Sequence, residues 1–276
     1  MLRPPIVNVM ESAARKAARG LLHDFGEVEQ LQVSRKGPAD FVSEADRRAD
    51  RTLRNELTRA RPGFGLLIEE SGTGGAVGAE DRWIVDPLDG TTNFLHGIPH
   101  FSISIAHESK GDLVAGMILD PLRDETFWAV RGKGAFLNNR RLRVSARDRL
   151  ADAVLATGIP FGLRPGKAEM LAALGPVMER TAGVRRMGAA SLDLAYVAAG
   201  RYEAFWEIGL APWDVAAGIV IVREAGGFVT EIGGGSDPLD GGSILATNDK
   251  LHGPVGDMLR EATGIGRRRG GARIHG

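Results

Sequence analysis

Cysteine is absent from the 276-residue chain, and with it go disulfides, thiolate zinc sites and cysteine nucleophiles. Carboxylate oxygens and six histidines remain as side-chain metal ligands, a donor set that favours hard cations. Net charge is missing too, since lysine plus arginine and aspartate plus glutamate stand at 35 each. No whole-molecule field then draws the chain to nucleic acid or to an anionic membrane, so an anionic ligand must be captured by local groups. Direct nucleic-acid binding is not expected. Long apolar runs are also lacking, and no stretch approaches the roughly 18 uncharged apolar residues of a membrane span. Near the N-terminus Glu11, Arg15, Lys16 and Arg19 break up the apolar positions and leave no signal-peptide core. A cytoplasmic protein with no membrane partner is expected.

The length lies where single cores begin to split, at roughly 250 to 300 residues, which fits one large body or two joined halves. Residues 7–22 and 43–60 carry apolar side chains at helical spacing, the second run stopping before Pro62. From residue 64 the texture changes to short strand-like runs at 64–68, 83–85, 101–106, 113–119 and 126–130. The glycine-rich and asparagine-rich stretch 132–139 reads as the turn-rich end of that sheet. Beyond it strand-like and helical runs alternate: strands at 153–157, 184–187, 202–206, 228–231 and 243–246, helices at 167–180, 191–199, 213–225 and 249–262. Alternation of this kind argues for an α/β layer. The expected organisation is a helix-pair and sheet half at 1–148, an α/β half at 149–263 and a disordered basic tail at 264–276, with Arg267, Arg268 and Arg269 in the tail.

The chemistry concentrates in Trp83-Ile84-Val85-Asp86-Pro87-Leu88-Asp89-Gly90-Thr91-Thr92-Asn93-Phe94, an apolar strand ending in two carboxylates around a proline. Pro87 has a fixed φ and biases Asp86 to extended backbone. The two carboxylates and the Leu88 carbonyl can then converge on one side of a tight turn, as oxygen ligands that suit Mg²⁺. Gly90 permits close approach to a ligand, and Thr91-Thr92-Asn93 starts a short helix whose free N–H groups suit an anion. A plain surface turn explains the same residue types but neither the buried strand before them nor the Thr-Thr-Asn after them. Glu69 and Glu70 end a second apolar strand, where adjacent like charges ask for solvent or a cation. Asp214 stands where a small-residue helix begins after Pro212, a position that N-capping explains equally well. Ser43 through Asp46 reads as a helix start of the same kind.

As a set these blocks resemble the inositol monophosphatase family. Asp40 through Asp46, Glu69-Glu70-Ser71, Trp83 through Phe94, Trp213-Asp214-Val215-Ala216-Ala217 and Glu224-Ala225-Gly226-Gly227 match it in order and spacing. The resemblance implies a layered αβαβα sandwich of the inositol monophosphatase and fructose-1,6-bisphosphatase type. It implies hydrolysis of a small phosphate monoester, most simply myo-inositol monophosphate, with two or more Mg²⁺ per site, inhibition by lithium and no covalent phosphoenzyme. Glu69, Asp86, the Leu88 carbonyl, Asp89 and Asp214 are then the metal ligands, while Thr91 and Asp46 orient the attacking water. Gly90 and Thr91 offer backbone donors to phosphate. Gly188, Ala189 and Ala190 line the substrate, with Glu207 meeting a substrate hydroxyl. Arg35 or Lys36 stands where the family carries a basic residue on a mobile loop. A homodimer is implied as well. Histidinol phosphate, fructose 1,6-bisphosphate and a 3′-phosphoadenosine nucleotide are alternative substrates of the same fold, and binding to the transcription machinery is an alternative function.

Overall fold

The computed structural model of the chain describes residues 3–27, 33–37, 40–160 and 165–266, with the strands between 33 and 43 described by backbone alone. Helix α1 (Pro5–Gly26) starts with proline at its first position, where the missing N–H costs nothing. It buries Val7, Met10, Ala13, Ala14, Ala17, Ala18 and Leu21, a stripe at helical spacing. A hairpin of β1 (Val33–Gly37) and β2 (Asp40–Ser43) leads into α2 (Glu44–Ala60), which buries Ala45, Ala49, Leu53 and Leu57 at four-residue intervals. The two helices pack together over the first large sheet.

That sheet has eight strands. In chain order they are β3 (Gly65–Ile68), β4 (Gly72–Gly75), β5 (Asp81–Asp89), β6 (Ser102–Ser109), β7 (Asp112–Asp120), β8 (Glu125–Val130), β9 (Gly134–Leu137) and β10 (Arg140–Arg141), arranged as β10-β9-β8-β7-β6-β5-β3-β4. Its central strands alternate strictly. Trp83, Val85, Ile103, Ile105, Met117 and Trp128 face the core under α1 and α2, while Ile84, Ala106, Ile118, Phe127 and Ala129 face a second core on the other side. A short helix α3 (Thr91–Leu95) follows β5. The expectation for 132–139 is corrected here: within it Gly134–Leu137 is a fully buried strand, and only its flanks turn, with Asn138 at φ 52°. Glu224 takes the backbone N–H groups of Gly132 and Gly134 at 2.8 and 2.7 Å, which pins the turn before that strand from a distant helix.

The later chain forms β11 (Val154–Thr157), α4 (Lys167–Arg180), β12 (Gly183–Arg185), α5 (Ala190–Ala198), β13 (Ala204–Ile208), α6 (Pro212–Glu224), β14 (Phe228–Thr230), β15 (Ser243–Thr247) and α7 (His252–Thr263). Its strands make a five-stranded sheet, β12-β11-β13-β15-β14, parallel from β12 to β13 and antiparallel beyond. Helix α6 reads Val-Ala-Ala-Gly-Ile-Val-Ile-Val with every one of these residues buried. A helix apolar on all sides belongs inside, and α6 lies with α5 between the two sheets. The fit is close: a Cβ on Gly116 of β7 would stand 2.5 Å from the Ala217 carbonyl oxygen. On the outer face of the second sheet α4 and α7 cover Leu155, Ala204, Trp206 and Leu245. The layers therefore run helix pair, sheet, helix pair, sheet, helix pair. The tail from residue 267 lies outside the described residues.

Candidate active site

Register brings the first two carboxylates together. Strand β3 pairs parallel with β5, Ile68 opposite Val85, and the Glu69 N–H donates to the Val85 carbonyl at 3.1 Å. The next residues along, Glu69 just past β3 and Asp86 within β5, are thus side by side, and their carboxyl groups are in hydrogen-bonding contact. Pro87 has no N–H to give to the ladder, and the pairing of β5 with β6 shifts register between Asp86 and Asp89. Asp86 Oδ1 accepts the Leu88 N–H at 2.9 Å, closing a turn over the proline. Gly90 follows at φ 93°, and a Cβ there would press to 3.0 Å of the His100 carbonyl oxygen. Glycine is what lets α3 begin so abruptly.

The Thr91 hydroxyl lies 3.1 Å from Asp46 Oδ1 and 3.1 Å from the Leu88 carbonyl oxygen. Its single proton serves one acceptor at a time. Asp46 is 2 % exposed on the first turn of α2, behind the threonine. Asp89 Oδ2 accepts from the Ser191 N–H at 2.8 Å and from its hydroxyl at 2.5 Å, and Ser191 is in turn 2.8 Å from Ser102. Asp214 is the third residue of α6 rather than its N-cap, which is Ala211; its Oδ2 accepts the Ala211 N–H at 2.7 Å. The capping expectation is corrected in position, because Pro212 takes the first helical place and moves the carboxylate inward.

Glu69, Asp86, Asp89 and Asp214 line one pocket of about 510 Å³ together with Leu88, Gly90 and Thr91. Gly188, Ala189, Ala190 and Glu207 border the same space. The pocket therefore gathers every sequence-predicted site residue except Asp46, which reaches it through Thr91, while the side chains of Arg35 and Lys36 lie outside the described residues. Sequence reasoning gave no role to Arg186 or Asp193. The last had a legible signal, since it is the one charged residue in the buried helix Ala-Ser-Leu-Asp-Leu-Ala-Tyr-Val-Ala.

The electrostatics is that of a site awaiting positive charge. Burial first, and then Glu69, Asp89 and Asp214, push the Asp86 carboxyl well above the usual range. Asp214 is raised by burial and by Asp89 and Glu69, against the Ala211 N–H that favours its charge. Burial lifts Asp89 to about 6 against the donors of Ser191 and Ala190. No lysine or arginine is among the groups that stabilise these three carboxylates. Among the described residues no three His, Asp or Glu side chains close into a compact cage. The carboxylates instead face an open pocket with oxygen donors only, and that donor set fits a hard divalent cation that keeps room for water and ligand oxygens.

The sequence pattern of the inositol monophosphatase family matches residues 3–262. The chain is 56 % identical over 255 residues to the inositol-1-monophosphatase of Rhizobium meliloti, spanning 91 % of this chain and 94 % of that protein. It is 47 % identical to the Nus factor SuhB of Pseudomonas aeruginosa, over 89 % of this chain and 92 % of that one. The crystal structure of the extragenic suppressor protein suhB from Bartonella henselae superposes with a TM-score of 0.90 at 55 % identity, covering 94 % of this chain and 99 % of that chain.

Proposed function

The chain belongs to the inositol monophosphatase family and is a phosphoric monoester hydrolase, and we propose that its substrate is a small polyol monophosphate, myo-inositol monophosphate first, hydrolysed with Mg²⁺. The observation that carries this reading is the contact of the Glu69 and Asp86 carboxyls in a pocket shared with Asp89 and Asp214. Like-charged carboxylates pressed together need a proton or a cation between them. Glu69, Asp86, the Leu88 carbonyl, Asp89 and Asp214 would hold more than one divalent ion. Bound there, such ions would supply Lewis acidity toward the phosphoryl group and neutralise charge on the attacking and leaving oxygens.

The chain's own groups do the rest. Thr91 presents a hydroxyl that can accept a proton from an attacking water and pass its own to Asp46, 3.1 Å away. The backbone N–H groups at Gly90 and Thr91, at the open start of α3, point charge-complementary donors at a phosphate. Glu207, the penultimate residue of β13 on the pocket wall, takes a hydroxyl of the alcohol half. Phosphate release from myo-inositol 1-phosphate, histidinol phosphate, fructose 1,6-bisphosphate and 3′-phosphoadenosine 5′-phosphate, with Mg²⁺ and with EDTA, tests the proposal. Release should be fastest from the inositol ester, vanish with chelator and fall with millimolar lithium. Release indifferent to chelation would remove the metal from the reaction.

The 47 % identity to a Nus factor supports a second reading, in which the folded chain also binds the transcription machinery. An Asp89→Asn protein, catalytically dead on the first reading, should still capture such partners if the second holds. The resemblance also carries a homodimer, which sedimentation of the purified chain would check.

A further inference from the structure

Asp193 lies one turn into α5, its backbone N–H bonded to the Ala189 carbonyl at 3.0 Å. The residue is 1 % exposed, and its Oδ1 has no hydrogen-bond partner. It borders the pocket on the wall that also holds Glu207, Gly188 and Ala190. Glu207 and Asp89 act on its charge unfavourably and Arg186, another lining residue, favourably. A buried carboxyl oxygen without a hydrogen-bond partner is costly, because nothing in the protein replaces the water it has lost. An apolar residue would suit this helix better, since its neighbours Leu192, Leu194 and Ala195 are all fully buried. Such a cost is retained where a ligand removes it.

We propose that Asp193 is a specificity-determining residue that receives a hydroxyl of the substrate's alcohol half, beside the hydroxyl taken by Glu207. The inference rests on the phosphatase reading above and narrows its substrate class. The orphaned Asp193 oxygen asks for a donor, so the favoured leaving alcohol carries at least one free hydroxyl besides the ester oxygen. A phosphate ester of a plain aryl or alkyl alcohol brings none. Sites built to hydrogen-bond a substrate hydroxyl reject analogues that lack it, because the buried group is then left unpaired.

The test compares wild type, Asp193→Asn and Asp193→Leu on myo-inositol 1-phosphate and on 4-nitrophenyl phosphate with Mg²⁺, alongside thermal melting without substrate. On the inositol ester kcat/KM should fall by about 30-fold or more in Asp193→Leu, and on the aryl ester by less than about threefold. Both variants should melt at or above wild type, whereas a residue that only supports the fold would lower the melting temperature on removal. Asp193→Asn keeps the shape and guards against a leucine variant that fails to fold. A wild type that releases phosphate from neither ester defeats the underlying reading. A wild type active on both, with variants that lose the two activities in parallel or lose neither, overturns the assignment of Asp193 alone.

Discussion

The pocket has two unlike walls. At the ends of β3, β5 and α6 the carboxylates of Glu69, Asp86, Asp89 and Asp214 crowd one another, and each of the three aspartates is raised above its ordinary range by burial, two of them also by their acidic neighbours. On the wall of α5 and β13 Asp193 is as buried as Asp86, yet it stands without a hydrogen-bond partner on Oδ1 and with Arg186 nearby. Mutual repulsion marks the first wall as a place for cations; an orphaned acceptor marks the second as a place for neutral donors. Both arrangements cost free energy by themselves, and the difference lies in what would relieve each.

Breaking the first wall should have the largest effect. Asp89→Asn or Asp214→Asn should lower turnover by roughly a thousandfold or more, since each removes charge from the centre that stabilises the transition state. Rates close to wild type in steady-state phosphate release would dissolve the distinction between the walls. Thr91→Ala comes next, with kcat down by about a hundredfold and KM little changed, as expected for a group acting on the water rather than on binding. A pure rise in KM would move Thr91 to the substrate side. Melting sharpens the comparison further. In EDTA, Asp86→Asn should melt above wild type because one repelling charge is gone, and saturating Mg²⁺ should raise only the wild type, by several degrees at a cation concentration about 100 times Kd.

A further effect, read through pH, lies behind both walls. His100 is 2 % exposed, neither ring nitrogen has a hydrogen-bond partner, and burial followed by the Arg123 charge lowers its pKa to about 4. The folded state then binds this proton less readily than the unfolded chain, whose histidine titrates near 6.5. Its contribution to stability is complete above about pH 6.5 and is lost as pH falls toward 4, on the order of 3 kcal/mol in all. Denaturant unfolding at several pH values should show the stability gap between His100→Phe and wild type shifting in favour of the variant across that window. A gap that does not move with pH would mean that His100 keeps its proton in the fold.

Much of the metal wall could be read from residue order. Asp86 through Asn93 is contiguous, and proline, glycine and the flanking apolar strand each constrain the backbone locally. Helix α4 ran over the expected residues for the same reason, its periodicity being local. Legibility failed where long-range partners decide. Strand β4, Gly72–Gly75, has no apolar signal and is a strand only because β3 lies beside it. Strand β9 hid among turn residues because its burial comes from β8 and from the layer above. Asp193 stood out only as a lone charge in an apolar helix until the second sheet set Glu207 against the same space.

What the sequence determined alone is the set of oxygen donors and the local turns that present them: no thiols, a proline-broken strand end, a glycine that starts α3 and a carboxylate in the first turn of α6. Tertiary structure decided which of them meet. Glu69 and Asp86 are neighbours through the register of a parallel pair, and Asp89 is held by Ser191 from across 102 residues of chain. Local backbone preferences are written in adjacent residues, whereas repulsion between carboxylates and the isolation of Asp193 exist only once burial removes water from around them.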